Sequence, residues 1–229
     1  MIQGLREILP DNGKAFSSIL ISLKTRNFRL YFTGMCVSLT GTWMQQIAMS
    51  WLVYRLTGSV FLLATVTFMA QIPILLVTPL MSVFVDRFDR QKILILTQSL
   101  SMVQALSMAA LTLSGVIEVW HILILSLLIG CINALDNPTR QAFYPSLVAK
   151  EHLSNAIALN SAVINGSRLI GPAVGGVLIG IFGEGLCFLL NGISYLGVII
   201  ALFLIRLSPF TVQHRRQNVL TRRFLLCVR

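Results

Sequence analysis

The sequence predicts an all-α membrane protein of six transmembrane helices, and three observations carry that reading. The chain of 229 residues is 55% hydrophobic and only 11% charged, against about 25% charged residues in an average soluble domain. Its mean hydropathy is +0.80. Apolar runs of ~20 residues recur along it, each long enough to cross the ~30 Å of a bilayer's hydrocarbon. Hydrocarbon leaves no backbone amide unpaired, and runs this continuous are not the ~10-residue alternating strands of a barrel, so each run is read as a helix.

The elements follow in order. Residues 1–27 lack an apolar core followed by a small-residue cleavage site, which predicts a cytoplasmic N-terminal segment and an uncleaved first span. Spans are read at Phe28 to Tyr54, Phe61 to Val85, Ile93 to Leu113, Val119 to Leu135, Ala156 to Phe182 and Leu186 to Ile205, so residues 28–205 form the bundle. Residues 206–229 read as a basic cytoplasmic tail that is similar to a truncated central linker. Of the 18 Lys and Arg, all but two fall in segments on one side of these spans; Arg55 lies on the other side and Arg168 within a span. Positive residues are retained in the cytoplasm, so both termini are expected there.

Composition also excludes. A net charge of +10 can signal nucleic acid, but the charges sit in loops and tails rather than on one folded face, so no nucleic-acid partner is expected. Cys36, Cys131 and Cys187 lie inside apolar runs with no paired spacing, so neither a metal nor a cofactor is expected. His121, His152 and His214 fall in three different loops, and no nucleophile has a base at plausible spacing, so the chain does not read as an enzyme.

Four groups of residues stand out. The loop between spans two and three carries Asp86, Arg87, Arg90 and Lys92 between two long apolar runs; simple anchoring at a cytoplasmic boundary and a functional charge cluster are both open. Span one carries Ser38, Thr42 and Gln45 at helical spacing with Gln46 beside them, a polar face that serves either interhelical bonding or a wet path. Span four gathers Asn133, Asp136, Asn137 and Arg140 on one face. Span five holds Gly166, Gly171, Pro172, Gly175 and Gly176, small residues that let backbones approach. It also holds Asn165 and Arg168, which share a face with Ser161, Pro172 and Gly175. A mid-bilayer arginine costs at least ~2.5 kcal/mol on insertion scales and is normally turned inward. Two readings stay open for it: a structural side chain bonded to carbonyls that Pro172 frees, or a place in a translocation cavity.

Together with Asn27, Phe28, Trp43 to Gln46, Leu56 to Ser59 and the Asp136 to Val148 stretch, these motifs resemble the major facilitator superfamily, in particular its enterobactin-exporter-like, drug-proton antiporter branch. The resemblance covers most of the chain. It implies one half of a twelve-span fold, built as a three-plus-three inverted repeat, with the Asp86 to Lys92 loop as a gate and the Gly171-Pro172-x-x-Gly175-Gly176 run as an antiporter-type signature. It implies a charge relay in which Asp136 meets Arg90, with Arg140 able to pair at i+4; structural gating and a coupled proton site are both open for Asp136. The sequence departs from the gating pattern at Ser82 and Asp89, where glycines are usual, and has no arginine between Leu123 and Leu135. The function implied is secondary active export of small amphipathic solutes such as drugs or siderophores, coupled to protons, by a bundle whose partner is a second six-helix half or a second copy of itself. The competing reading is a non-transporting membrane assembly or regulatory module, or an inactive remnant.

Overall fold

A computed structural model describes residues 22–23, 25–85 and 88–205. Asp86 and Arg87 of the expected gate, most of the N-terminal segment and the whole 206–229 tail lie outside the described residues. Six α-helices run through the rest: α1 Arg26–Thr57, α2 Val60–Val85, α3 Arg90–Leu113, α4 Val119–Phe143, α5 Leu153–Phe182 and α6 Glu184–Leu204. Short 3₁₀ turns at Tyr144–Ser146 and Lys150–His152 link α4 to α5. Five helices are long and apolar enough to cross a membrane. The exception is α1, whose 32 residues extend about 48 Å at 1.5 Å per residue. Its polar stripe dilutes its hydropathy without shortening it.

Local chemistry sets the ends. The Asp89 side chain accepts from the Gln91 amide at 3.0 Å and starts α3. Glu118 and His121 form a reciprocal capping box at the start of α4, so His121 lies inside that helix rather than in a loop. One residue joins α5 to α6. Gly183 makes that turn at φ +79° and ψ 175°, a conformation open to glycine but strained for other residues.

The helices pair in a pattern that repeats every three. α1 packs on α5 and α6, α4 packs on α2 and α3, and α3 packs on α6. Exchanging α1, α2, α3 with α4, α5, α6 leaves these pairings unchanged. Because each unit has three spans, the second enters from the opposite side of the bilayer, which is the geometry of an inverted repeat. α3 and α6 form the packed back of the bundle, whereas α2 and α5 are the least buried helices. The front is thus a row of α2, α4, α1 and α5.

Two apolar clusters hold the bundle. One surrounds Phe28, Tyr31, Leu94, Phe143 and Leu202 at the end bearing the α2–α3 loop, here the basic end. The other surrounds Leu52, Val53, Met108, Ile122 and Phe188 towards the far end. There Arg55, in the last turn of α1, forms a bidentate pair with Glu184 in the first turn of α6, at 2.8 and 3.3 Å. Each charge complements the dipole of its own helix.

Candidate solute cleft and flanking charges

Between α1, α2 and α4 lies a cleft of about 110 Å³. Thr42, Gln45, Gln46, Met49 and Ser50 line it from α1, Thr67, Ala70, Gln71 and Ile74 from α2, and Ile129 and Asn133 from α4. Seven of these eleven side chains are polar and none carries a charge. Such a wall offers amide and hydroxyl donors and acceptors. Four expected cavity residues, Thr42, Gln45, Gln46 and Asn133, meet here. Ser38 does not, being buried in the bundle.

Gln45 has a double position. Its amide nitrogen donates to Gln104 Oε1 of α3 at 3.1 Å, and its oxygen accepts from Asn191 Nδ2 of α6 at 2.6 Å. Gln104 donates in turn to the Leu125 carbonyl of α4 at 3.3 Å. Gln104 and Asn191 are buried, so this amide chain pins α1, α3, α4 and α6 together and fixes the rear of the cleft. The polar stripe of α1 therefore divides: Gln45 bonds between helices, while Thr42, Gln46 and Ser50 face the opening.

Residues of α2 were missed by the sequence reading. Thr67 and Gln71 stand at i and i+4 on the helix with the highest span hydropathy, 2.3, and both reach the cleft. Gln71 is the signal that points there, an amide alone within a run of Leu, Ile, Val and Pro.

The glycines of α5 separate into two kinds. A methyl group at Gly171 would lie 2.6 Å from Trp43 Cβ and 2.8 Å from the Thr40 carbonyl oxygen, and one at Gly175 would lie 3.2 Å from Met44 Cγ. At Gly166 and Gly176 nothing described lies within 4 Å. Ser167, at i−4 from Gly171, meets the Thr40 hydroxyl at 3.2 Å. The α1–α5 seam thus runs through Ser167, Gly171 and Gly175. Gly130 of α4 makes the matching approach to α2, where a methyl group would lie 2.5 Å from the Ala70 carbonyl oxygen.

Arg168 lies on the flank of that seam and not in the interior of the bundle. It is exposed on the front of α5, and its guanidinium carbon stands 4.7 Å over the Trp43 ring. Neither expected alternative is met in its simple form: the side chain rests on an indole rather than on carbonyls freed by Pro172, and it is outside the cleft between α1, α2 and α4. A cation over an indole gains ~0.5–2 kcal/mol, less than the cost of the charge at mid-bilayer. Asn165 donates to the Ser161 carbonyl at 2.8 Å on the same open face.

At the basic end, α4 runs two turns beyond Leu135 and carries the buried pair Asp136–Arg140. Arg140 Nε reaches Asp136 Oδ2 at 3.1 Å, and its Nη2 bonds the same oxygen. Oδ1 accepts from Thr97 Oγ1 at 2.6 Å and from Gln98 Nε2 at 3.0 Å. The carboxylate, 2% exposed, is thus met by donors on both oxygens. Arg90 donates to the Ala142 carbonyl at 2.6 Å, so its contact with α4 is to the end of the helix, while the carboxylate takes the arginine of its own helix. Lys92 is exposed. Tyr31 packs edge-on against Phe143 and Tyr144 at 5.5 Å, and Tyr144 bonds Asn160 of α5. One node therefore touches α1, α3, α4 and α5.

Comparison with known proteins places the chain in a family. The profile of a family described as transmembrane secretion effector matches residues 17–228. The staphyloferrin A transporter of Staphylococcus aureus is 30% identical over 168 residues, covering 73% of this chain and 42% of its own length. An uncharacterised MFS-type transporter, YfiS of Bacillus subtilis, is 27% identical over 74% of this chain and 40% of its own. Macrolide efflux protein A of Streptococcus pyogenes is 27% identical over 68% of this chain and 39% of its own. The matched part of the chain spans about two fifths of the length of these relatives. No solved structure matches.

Proposed function

The chain belongs to the transmembrane secretion effector family of the major facilitator superfamily, and from that premise we propose that it forms one half of a secondary exporter of small amphipathic solutes. It is an integral membrane transport protein, not an enzyme. The observation that carries the proposal is the uncharged polar cleft between α1, α2 and α4. Three of its amides, Gln46, Gln71 and Asn133, would be costly against lipid and are suited to a polar solute. Relatives named for macrolide efflux and for staphyloferrin A transport support drugs and siderophores as the solute class.

The mechanism is rocking of this bundle against a second six-helix unit around a site near the midplane. That second unit is the remainder of a longer transporter or another copy of the chain, and it closes the front row of α2, α4, α1 and α5. The packed back, pinned by the Gln45–Gln104–Asn191 amides, moves as one body. The Asp136–Arg140 node and Arg90 join the ends of α3 and α4 beside the 86–92 loop, which suits a gate at the basic end. The charge bias supports a cytoplasmic side for that end and for both termini, in a bacterial inner membrane. The antiporter-type run on α5 supports proton entry as the drive.

The test is efflux of erythromycin and of ethidium from exporter-depleted cells carrying the chain with a complete second half. Gln71→Leu and Asn133→Leu are expected to lower efflux several-fold at unchanged abundance, and Asp86→Asn to slow it. Collapsing the pH gradient should stop it. Full efflux in the cleft variants would overturn the cleft as the solute site.

A further inference from the structure

We infer that Arg168, held on Trp43, is an anion-binding subsite that selects solutes bearing a carboxylate; this rests on the reading of the front face as the solute path. The argument starts from position. Arg168 is the sixteenth residue of α5 (Leu153–Phe182), so at 1.5 Å per residue its Cα lies about 21 Å along the helix from either end. An arginine side chain reaches only about 7 Å, and snorkelling to lipid headgroups serves residues near helix ends. A phosphate headgroup is therefore out of range, and the charge needs a partner at mid-depth.

The described residues supply none. The chain's eight carboxylates are Glu7, Asp11, Asp86, Asp89, Glu118, Asp136, Glu151 and Glu184. Of the five that the structure describes, Asp89, Glu118, Asp136, Glu151 and Glu184, only Asp136 lies well inside a helix, and Arg140, Thr97 and Gln98 engage it. Glu184 is taken by Arg55. Among the described residues, the recorded partner of Arg168 is the Trp43 ring alone.

What the front offers is a ligand path. Trp43, Gln46 and Ser50 stand at i, i+3 and i+7 of α1 and so share one face, and the latter two line the cleft. The indole lies 4.7 Å from the guanidinium carbon, and among the described residues no hydrogen bond takes up the guanidinium N–H groups, whose planar fork matches a carboxylate. A solute whose body hydrogen-bonds in the uncharged cleft can place an acid group on Arg168, one helix away on the same front.

The experiment uses the 229-residue chain in nanodiscs of neutral phosphatidylcholine, with Trp51 and Trp120 replaced by Phe so that Trp43 is the sole indole. Quenching of Trp43 is titrated with 1-naphthoate and with its neutral counterpart 1-naphthamide. The expected result is naphthoate binding at least about tenfold tighter, as for a hydrogen bond to a charged group. Arg168→Gln should erase that preference while leaving naphthamide affinity unchanged, and Arg168→Lys should keep part of it. Equal binding of the two probes, or a preference that survives Arg168→Gln, overturns the inference. Naphthamide binding that is lost in Gln71→Leu, without any carboxylate preference, would leave the cleft standing and remove only the anion subsite. Failure of both probes to bind would remove both.

Discussion

Adding one methyl group at Gly171 should damage the bundle, whereas the same group five residues later should not. At Gly171 the methyl carbon would lie 2.6 Å from Trp43 Cβ, 2.8 Å from the Thr40 carbonyl oxygen and 3.1 Å from the Met44 amide nitrogen. Carbon contacts sit comfortably at about 3.5–4.0 Å, so relief requires α5 to withdraw from α1 by roughly 1 Å. Two of the three atoms are backbone and have no rotamer to turn into. Overpacking of this kind costs about 1–3 kcal/mol. At Gly176 no described atom lies within 4 Å, and alanine there gains up to ~1 kcal/mol of helix propensity. For a chain of this size 1 kcal/mol moves Tm by roughly 2–4 °C. Gly171→Ala should thus melt about 2–12 °C below the parent, and Gly176→Ala at or above it. The assay is a thermal melt in detergent at one scan rate, in a background with Cys36, Cys131 and Cys227 replaced, read by a thiol dye on Cys187, which is buried in the fold. Equal melting of the two variants, or damage confined to Gly176→Ala, would refute the assignment of the α1–α5 seam.

Two further outcomes are expected. Arg140→Met strands a buried carboxylate and should cost about 3–5 kcal/mol, while the Asp136→Asn, Arg140→Met double variant should recover more than half of that in the same melt; strictly additive losses would show that the two side chains do not act as a pair. The 229-residue chain, expressed alone in exporter-depleted cells and shown by cross-linking to be monomeric, should export neither dye nor siderophore, because its front has no second bundle to close it. Efflux from a proven monomer would refute this, and efflux from a dimer would identify a homodimeric carrier.

Most of the fold was legible because hydrocarbon imposes one rule, a long apolar run for every crossing, and all six helices start within three residues of where those runs begin. The end of α4 was not. Hydropathy marks where a span leaves the lipid, not where the helix stops, and Asp136 to Phe143 continue the helix since Asp136 and Arg140 satisfy each other one turn apart. The site was legible in part. The stripe on α1 announced a polar face by its period, but no period shows that Gln45 turns to Gln104 and Asn191 while Gln46 turns to the cleft. Gln71 carried no pattern because it is a single amide in α2. For Arg168 the spacing placed Pro172 and Gly175 on its side of α5, yet the seam is centred on Ser167, Gly171 and Gly175. A side chain that long is excluded from so close an approach and lies over the neighbouring ring instead.

The central claim is that the front of α2, α4, α1 and α5 is a wet path rather than a lipid-facing wall, and labelling of single cysteines tests it most directly. In a background with Cys36, Cys131, Cys187 and Cys227 replaced, cysteine is placed at Gln71 or Asn133, and for comparison at Leu80 or Ile124. Each comparison site is nine residues from its partner, half a turn around the same helix, and both are exposed apolar positions. A positively charged methanethiosulfonate reagent applied to membranes should label the Gln71 and Asn133 sites and leave the Leu80 and Ile124 sites unlabelled. Cleft positions as silent as the lipid-facing ones would contradict the account.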